Sequence, residues 1–188
     1  MLAVTGYGTS IVRELSRLID EPISRIGGSG SQWFDSDFII PDAERFVLAA
    51  GVLYGKRVAD QSVYDIATGL AINLISPMRL CEEILAKNDR ARICVIGSES
   101  GFSGSFDDVY AAAKAGLHGY VLSRKVLPTQ QLVAVAPPII SDAGMTMRRP
   151  DYPAILSKRK TVTSQQVAIV VHQLLYGPPV SNRVERMC

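Results

Sequence analysis

The chain is predicted to be an α/β protein, a doubly wound and mainly parallel Rossmann-like sheet. Two observations carry that expectation. Short β-branched apolar runs alternate with stretches of helical period, and the polar motifs fall at the ends of the strands. The clearest pairing begins at residues 93–96, Ile-Cys-Val-Ile, which pass through a loop rich in Gly and Ser into a helical pattern of Val109, Ala112, Ala113, Leu117 and Tyr120. A single domain, 1–188, is expected, because 188 residues suffice for one well-buried core and are too few for two of ordinary size.

Hydrophobic residues at 47% and charged residues at 20% fit a globular chain. A net charge of +2 gives no electrostatic case for nucleic acid as a partner. No apolar run reaches the length of a membrane span, and the first residues enter a strand pattern without a charged region and cleavage site. No membrane partner is expected, and the expected location is the cytoplasm. Cys81, Cys94 and Cys188 have neither metal-ligand spacing nor the even count of a disulfide framework. His118 and His172 read as structural or surface residues, since no carboxylate or cysteine group accompanies them.

In chain order, Leu2-Ala3-Val4-Thr5 reads as a strand, and Gly6-Tyr7-Gly8-Thr9-Ser10-Ile11 as a tight turn opening a helix that continues through Val12, Leu15, Leu18 and Ile19. Such a turn lets a backbone approach a pyrophosphate. Residues 22–26 read as the second strand, followed by Gly27-Gly28-Ser29-Gly30 and a short strand at 32–35. Arg25 stands near the end of the second strand. It either accommodates a 2′-phosphate or is a surface residue on an edge. Residues 46–52 form an apolar strand ending in glycine. From Ser62 a helical pattern runs through Asn73 to Leu85. Asn73 is polar on an apolar face, and a buried amide needs partners.

Asp107 and Asp108 suit a helix N-terminus. Tyr110 and Lys114, four residues apart, then share one face, with Ser98 at the mouth of the preceding strand. A nearby cation favours the phenolate, moving a phenol of pKa about 10 towards acid/base work near neutrality. Residues 131–136 read as another strand. Residues 141–160, basic through Arg148, Arg149, Lys158, Arg159 and Lys160, read as a mobile segment covering a substrate. Residues 162–175 read as a helix capped by Thr161 or Thr163, and residues 180–187 as the last strand.

The residues Ile96-Gly97-Ser98-Glu99-Ser100-Gly101 and Tyr110-Ala111-Ala112-Ala113-Lys114-Ala115-Gly116 resemble the strand-end serine and Tyr-x-x-x-Lys helix of the short-chain dehydrogenase/reductase family. The resemblance covers most of the chain and implies a shortened, divergent member, because relatives usually carry helices where residues 22–44 leave too little chain. It implies hydride transfer between a nicotinamide cofactor and a small-molecule carbonyl or alcohol. Tyr110 is then the general acid/base, and Lys114 lowers its pKa and binds the nicotinamide ribose. Ser98 polarises the carbonyl oxygen, and Asn73 supports a proton relay.

The same resemblance assigns cofactor contacts to Gly6, Gly8, Ser10 and Ile11 of the first turn, to Arg25 and the adenine-facing Asp35, to Ala50 and Gly51, to Tyr110 and Lys114, and to Pro137 and Ile140. Arg25 tips the expectation towards NADP(H) over NAD(H). Four departures accompany it. Ser10 and Val12 stand where glycine is usual, Leu48-Ala49 replace a pair of asparagines, and Pro138 replaces a glycine and so removes an amide donor. Those departures keep open the alternative of a binding or regulatory protein that retains the fold without turnover. Relatives pair through the helices matching residues 62–85 and 108–125, which implies a homodimer or homotetramer.

Overall fold

A computed structural model describes residues 1–27, 38–149 and 152–187. Six strands form one parallel sheet in the order β2-β1-β3-β4-β5-β8. They are β1 (Leu2–Thr5), β2 (Ile23–Arg25), β3 (Arg45–Leu48), β4 (Arg92–Ile96), β5 (Gln131–Ala136) and β8 (Arg183–Arg186). Each neighbouring pair is parallel, with Val4 opposite both Arg25 and Val47, and Cys94 opposite both Val47 and Val133. The chain steps outward from β1 to β2, then returns to place β3 on the other side. The order therefore reverses at β1, the point where such sheets open a crevice at their C-terminal edge.

The period of two decides which helices cover which face. Ile93 and Val95, with Leu132 and Ala134, join one core with Leu80, Cys81, Ile84 and Leu117. Those last four come from α3 (Ser76–Lys87) and α5 (Asp108–Ser123). Cys94, Val133 and Val135 point the other way, into a core with Ile11, Val12, Leu15, Val167 and Val171 from α1 (Ser10–Leu15) and α8 (Ser164–Tyr176). A sheet buried on both faces needs continuous apolar strands, and β5 is buried at every position. The Cys94 thiol is pushed up to about 12 by burial, as befits a small core residue.

Several expectations change. The first helix ends at Leu15, and the amides of Arg17 and Leu18 turn back to Glu14 and Leu15. The third strand ends at Leu48 rather than running to residue 52, and the Ala50 amide donates to Thr5 Oγ1 at 3.2 Å instead. The described part of residues 141–160 carries local structure of its own. β6 (Ile139–Ile140) pairs in parallel with β7 (Thr161–Val162), closing off a unit that holds α6 (Gly144–Met147) and α7 (Tyr152–Lys158). The Tyr152 hydroxyl donates to Ser141 O at 3.1 Å and secures it. The helix expected over 162–175 starts two residues later, at Ser164, because Val162 belongs to β7; of the two expected caps Thr163 serves, forming a capping box with Gln166. The strand expected at 32–35, and Asp35 with it, lies outside the described residues. None of the described helices is long and apolar enough to cross a membrane.

Candidate active site

At the C-terminal end of β4, Ser98 and Tyr110 are half-buried and Lys114 is 4% exposed. The helix α5 presents Tyr110 and Lys114 on one face, as their four-residue spacing requires. The Ser98 side chain is near enough to Tyr110 to favour its phenolate, and its Oγ accepts from Ser100 N at 3.1 Å. Lys114 Nζ lies 5.6 Å from the Tyr110 ring centroid and donates to Ile96 O at 2.8 Å. Serine, tyrosine and lysine are thus brought together as the sequence suggests.

Their electrostatics differ from that expectation in one respect. Tyr110 is raised from its ordinary pKa, not lowered. Burial disfavours the phenolate, the nearby Ser98 side chain offsets part of this, and the charge of Asp107 adds to it. Lys114 is lowered to about 8, because burial penalises its charged form. In the folded chain the phenol is firmly protonated, and the ammonium is easier to neutralise than a surface lysine.

The helix that carries both residues is anchored from its first turn. Asp107, 1% exposed, caps it by accepting from Tyr110 N at 3.0 Å. The same carboxylate accepts from Tyr54 N, Gly55 N and Gln61 Nε2 at 3.1, 2.9 and 3.1 Å. Read from sequence, Asp107 was a helix-end acid. It also pins the loop between β3 and α2 (Val63–Leu70) against the first turn of α5, beside Tyr110.

Asn73 lies within a π-helical turn, Ala71–Ile75, joining α2 to α3. Its amide donates to Val52 O at 2.8 Å and Gly69 O at 2.9 Å, and Oδ1 accepts from Val52 N at 3.2 Å. These bonds place Asn73 as a brace between the helix and the loop after β3. A π-turn of this kind commonly marks a functional position. A Cβ added to Gly51 would come within 3.1 Å of Asn73 Oδ1, so the strand end lies close against this amide.

The β1 turn is built for close approach. Gly6 has φ +64°, and a Cβ there would sit 2.7 Å from the Ala49 carbonyl carbon. Only glycine reconciles that angle with that contact. Gly8 is exposed with open space around it. Ile11 is 6% exposed within the core, so it can offer a ligand only its backbone. Val12 is 2% exposed and packs in the core shared by α1 and α8, which absorbs the extra bulk. Arg25 is exposed, and its guanidinium stacks 4.1 Å from the Tyr7 ring centroid, at the turn itself.

Pro137 O accepts from Glu99 N at 2.8 Å, tying the end of β5 to the serine loop. Ile140 pairs with Val162 in the short parallel bridge. Beyond it, the Ser164 amide and hydroxyl both donate to Asp142 Oδ1, at 2.7 and 2.9 Å, and the Ser10 hydroxyl lies 2.6 Å from that of Ser164. Ser164, at the start of α8, therefore bridges the first turn to Asp142. The 141–160 unit reaches over the site. Arg149 stacks on Phe106 at 3.9 Å, and Met145 Cε would lie 3.9 Å from a Cβ on Gly51.

Residues 43–152, more than half of the chain, match a family model described as short chain dehydrogenase. No curated protein matches the chain. Among solved structures, a short-chain dehydrogenase/reductase (glucose/ribitol dehydrogenase) from Brucella melitensis superposes with a TM-score of 0.78 at 19% identity, covering 99% of this chain and 94% of that one. A short chain dehydrogenase from Burkholderia cenocepacia J2315, solved in complex with NADP, gives 0.78 at 17% identity over 98% and 94%. A 3-oxoacyl-[acyl-carrier protein] reductase from Brucella melitensis gives 0.73 at 17% identity over 99% and 88%. At these identities the likeness is one of fold.

Proposed function

The chain belongs to the short-chain dehydrogenase family, and from that premise we propose that it transfers a hydride between a nicotinamide cofactor and a small-molecule carbonyl or alcohol. One observation carries the reading. Tyr110 stands beside Ser98 at the sheet's C-terminal edge, with Lys114 Nζ 5.6 Å from its ring centroid on the same helix face.

The turn at Gly6 and Gly8 fits a dinucleotide, because its backbone lies against the end of β3 and faces open space at Gly8. Gly6, Gly8, Ser10 and the Ile11 backbone would hold the diphosphate. Ala50 and Gly51, with Pro137 and Ile140, would flank the nicotinamide end. Bound there, the cofactor would supply or accept the hydride. Every remaining task falls to the chain. Ser98 holds the substrate oxygen by a hydrogen bond. Tyr110, kept protonated by burial, gives that oxygen its proton in reduction and takes it back in oxidation. Lys114 offsets the charge left on the phenolate. Asn73 steadies the loop against which these groups work.

Arg25, exposed on Tyr7 with no acid among residues 23–27, favours NADP(H) over NAD(H). Val63, Tyr64 and Ile75 are exposed at 84%, 76% and 45%. Their helices are the ones through which relatives pair, which supports a homodimer or homotetramer. Pro138, which lacks an amide donor beside the nicotinamide end, favours the alternative of a protein that binds without turnover. Loss of NADPH absorbance against a panel of small aldehydes and ketones tests the proposal. Turnover that vanishes in Tyr110→Phe supports it. Turnover undiminished in that variant refutes the assigned chemistry, and binding with no turnover on any substrate selects the alternative.

A further inference from the structure

His118 continues the stripe that begins with Tyr110 and Lys114, at the same four-residue interval, so it stands directly behind the reacting pair. It is 3% exposed. Its Nε2 accepts from the Ser98 backbone amide at 3.3 Å. The loop that carries the serine is shaped around this ring. A Cβ on Gly97 would lie 2.4 Å from Nε2, and one on Gly101 would lie 2.6 Å from Cε1. Both glycines flanking the serine are therefore needed to let the imidazole in. Phe102, from the short helix α4 (Ser100–Ser103), stacks on the ring with centroids 4.6 Å apart. Arg186 closes the stack from β8, 4.4 Å from the Phe102 ring and bridged to Glu99.

We propose that His118 is a positioning residue for Ser98: it holds the serine's backbone amide and so fixes where the hydroxyl meets Tyr110 and a substrate oxygen. The inference rests on the reading of Ser98 given above. Accepting the amide requires Nε2 to be bare, which puts the proton of the neutral ring on Nδ1, a nitrogen with no partner among the described residues. A ring kept only to fill space has no need of that tautomer. The groups facing it keep it neutral. Burial is the largest influence, Lys114 adds to it from the same helix, and Glu99 opposes it from the serine loop, bringing the group down to about 4. Arg186 faces it across Phe102, and Tyr110 lies two turns away along α5.

The first test needs no substrate. Long-range proton–nitrogen NMR on the full chain, with His118→Gln used to assign the signal against His172, is expected to show a neutral Nδ1–H tautomer titrating well below the ordinary value of about 6.5. An Nε2–H tautomer, or an ordinary titration, overturns the proposal. The second test follows NADPH oxidation with 2,3-butanedione. His118→Leu, which keeps bulk and loses the acceptor, is expected to lower kcat about ten- to a hundred-fold with KM for NADPH unchanged. His118→Gln, whose amide oxygen can accept the same bond, is expected to recover most of the loss. Ser98→Ala separates the two ideas. If it is impaired while His118→Leu is not, the positioning role fails. If Ser98→Ala turns over like the unaltered chain, the reading of Ser98 itself fails.

Discussion

Two regions of the same sheet edge contrast in how they are built. On the β4–α5 side the polar groups are enclosed. Lys114, Asp107 and His118 are each under 5% exposed, and each makes at least one hydrogen bond across elements. On the β1–β2 side the described groups facing outward include Gly8, Tyr7 and Arg25, all exposed, and the backbone at Gly6 is tightly constrained. The difference agrees with the tasks proposed for each side. Proton transfer needs side chains fixed within a few tenths of an ångström. A dinucleotide can be held by a backbone turn and a cation, so that side tolerates replacements such as Ser10 and Val12.

The largest test of the enclosed side is Tyr110→Phe. Loss of the acid/base is expected to cost about 10²–10⁴-fold in turnover, with circular dichroism unchanged and NADPH binding still saturable. A smaller loss would mean that proton transfer lies elsewhere. Next comes acid stability. The folded His118 is lowered to about 4 against an ordinary value of about 6.5, so between those values the unfolded chain binds a proton that the folded chain does not. Stability is therefore full above about pH 6.5 and falls as pH drops towards 4, by about 3 kcal/mol from this group. Urea denaturation across that window is expected to show a shallower fall in His118→Leu than in the unaltered chain.

On the open side, Gly6→Ala forces a left-handed backbone and a clash with Ala49, for an expected loss of about 1–3 kcal/mol in urea unfolding and of nucleotide binding with it. Asn73→Ala strands the Val52 amide and two carbonyls, for a comparable stability loss of about 1–3 kcal/mol and a lowered kcat. Arg25→Ala is the mildest. It is expected to weaken NADPH about ten-fold and leave NADH unmoved, and equal effects on both would remove Arg25 from cofactor choice.

Much of this contrast was legible in the sequence, for physical reasons that differ by site. The β4 and β5 strands are buried on both faces, so their apolar runs carry no polar interruption and are easily read. Tyr110 and Lys114 declared themselves by helical spacing. His118 obeyed the same spacing and was still read as structural or surface, since a lone histidine gives no sign of a backbone amide as its partner. The glycines at 97 and 101 were the available signal. Asp107 was legible as a cap, but its hold on residues 54–61 is a contact between distant stretches of chain. The folding of residues 141–160 depends on a two-residue strand pairing, too short to leave a periodic trace. The raised pKa of Tyr110 comes first from burial, which helical spacing does not reveal.

The open side is proposed to hold a dinucleotide beside Ser98, Tyr110 and Lys114. Titration followed by the emission of NADPH and NADH tests it most directly, with Tyr110→Phe run in parallel. The account requires saturable binding, tighter for NADPH and preserved in Tyr110→Phe. Absence of saturable binding for either nucleotide up to about 1 mM, the upper end of the usual range for such ligands, would contradict it.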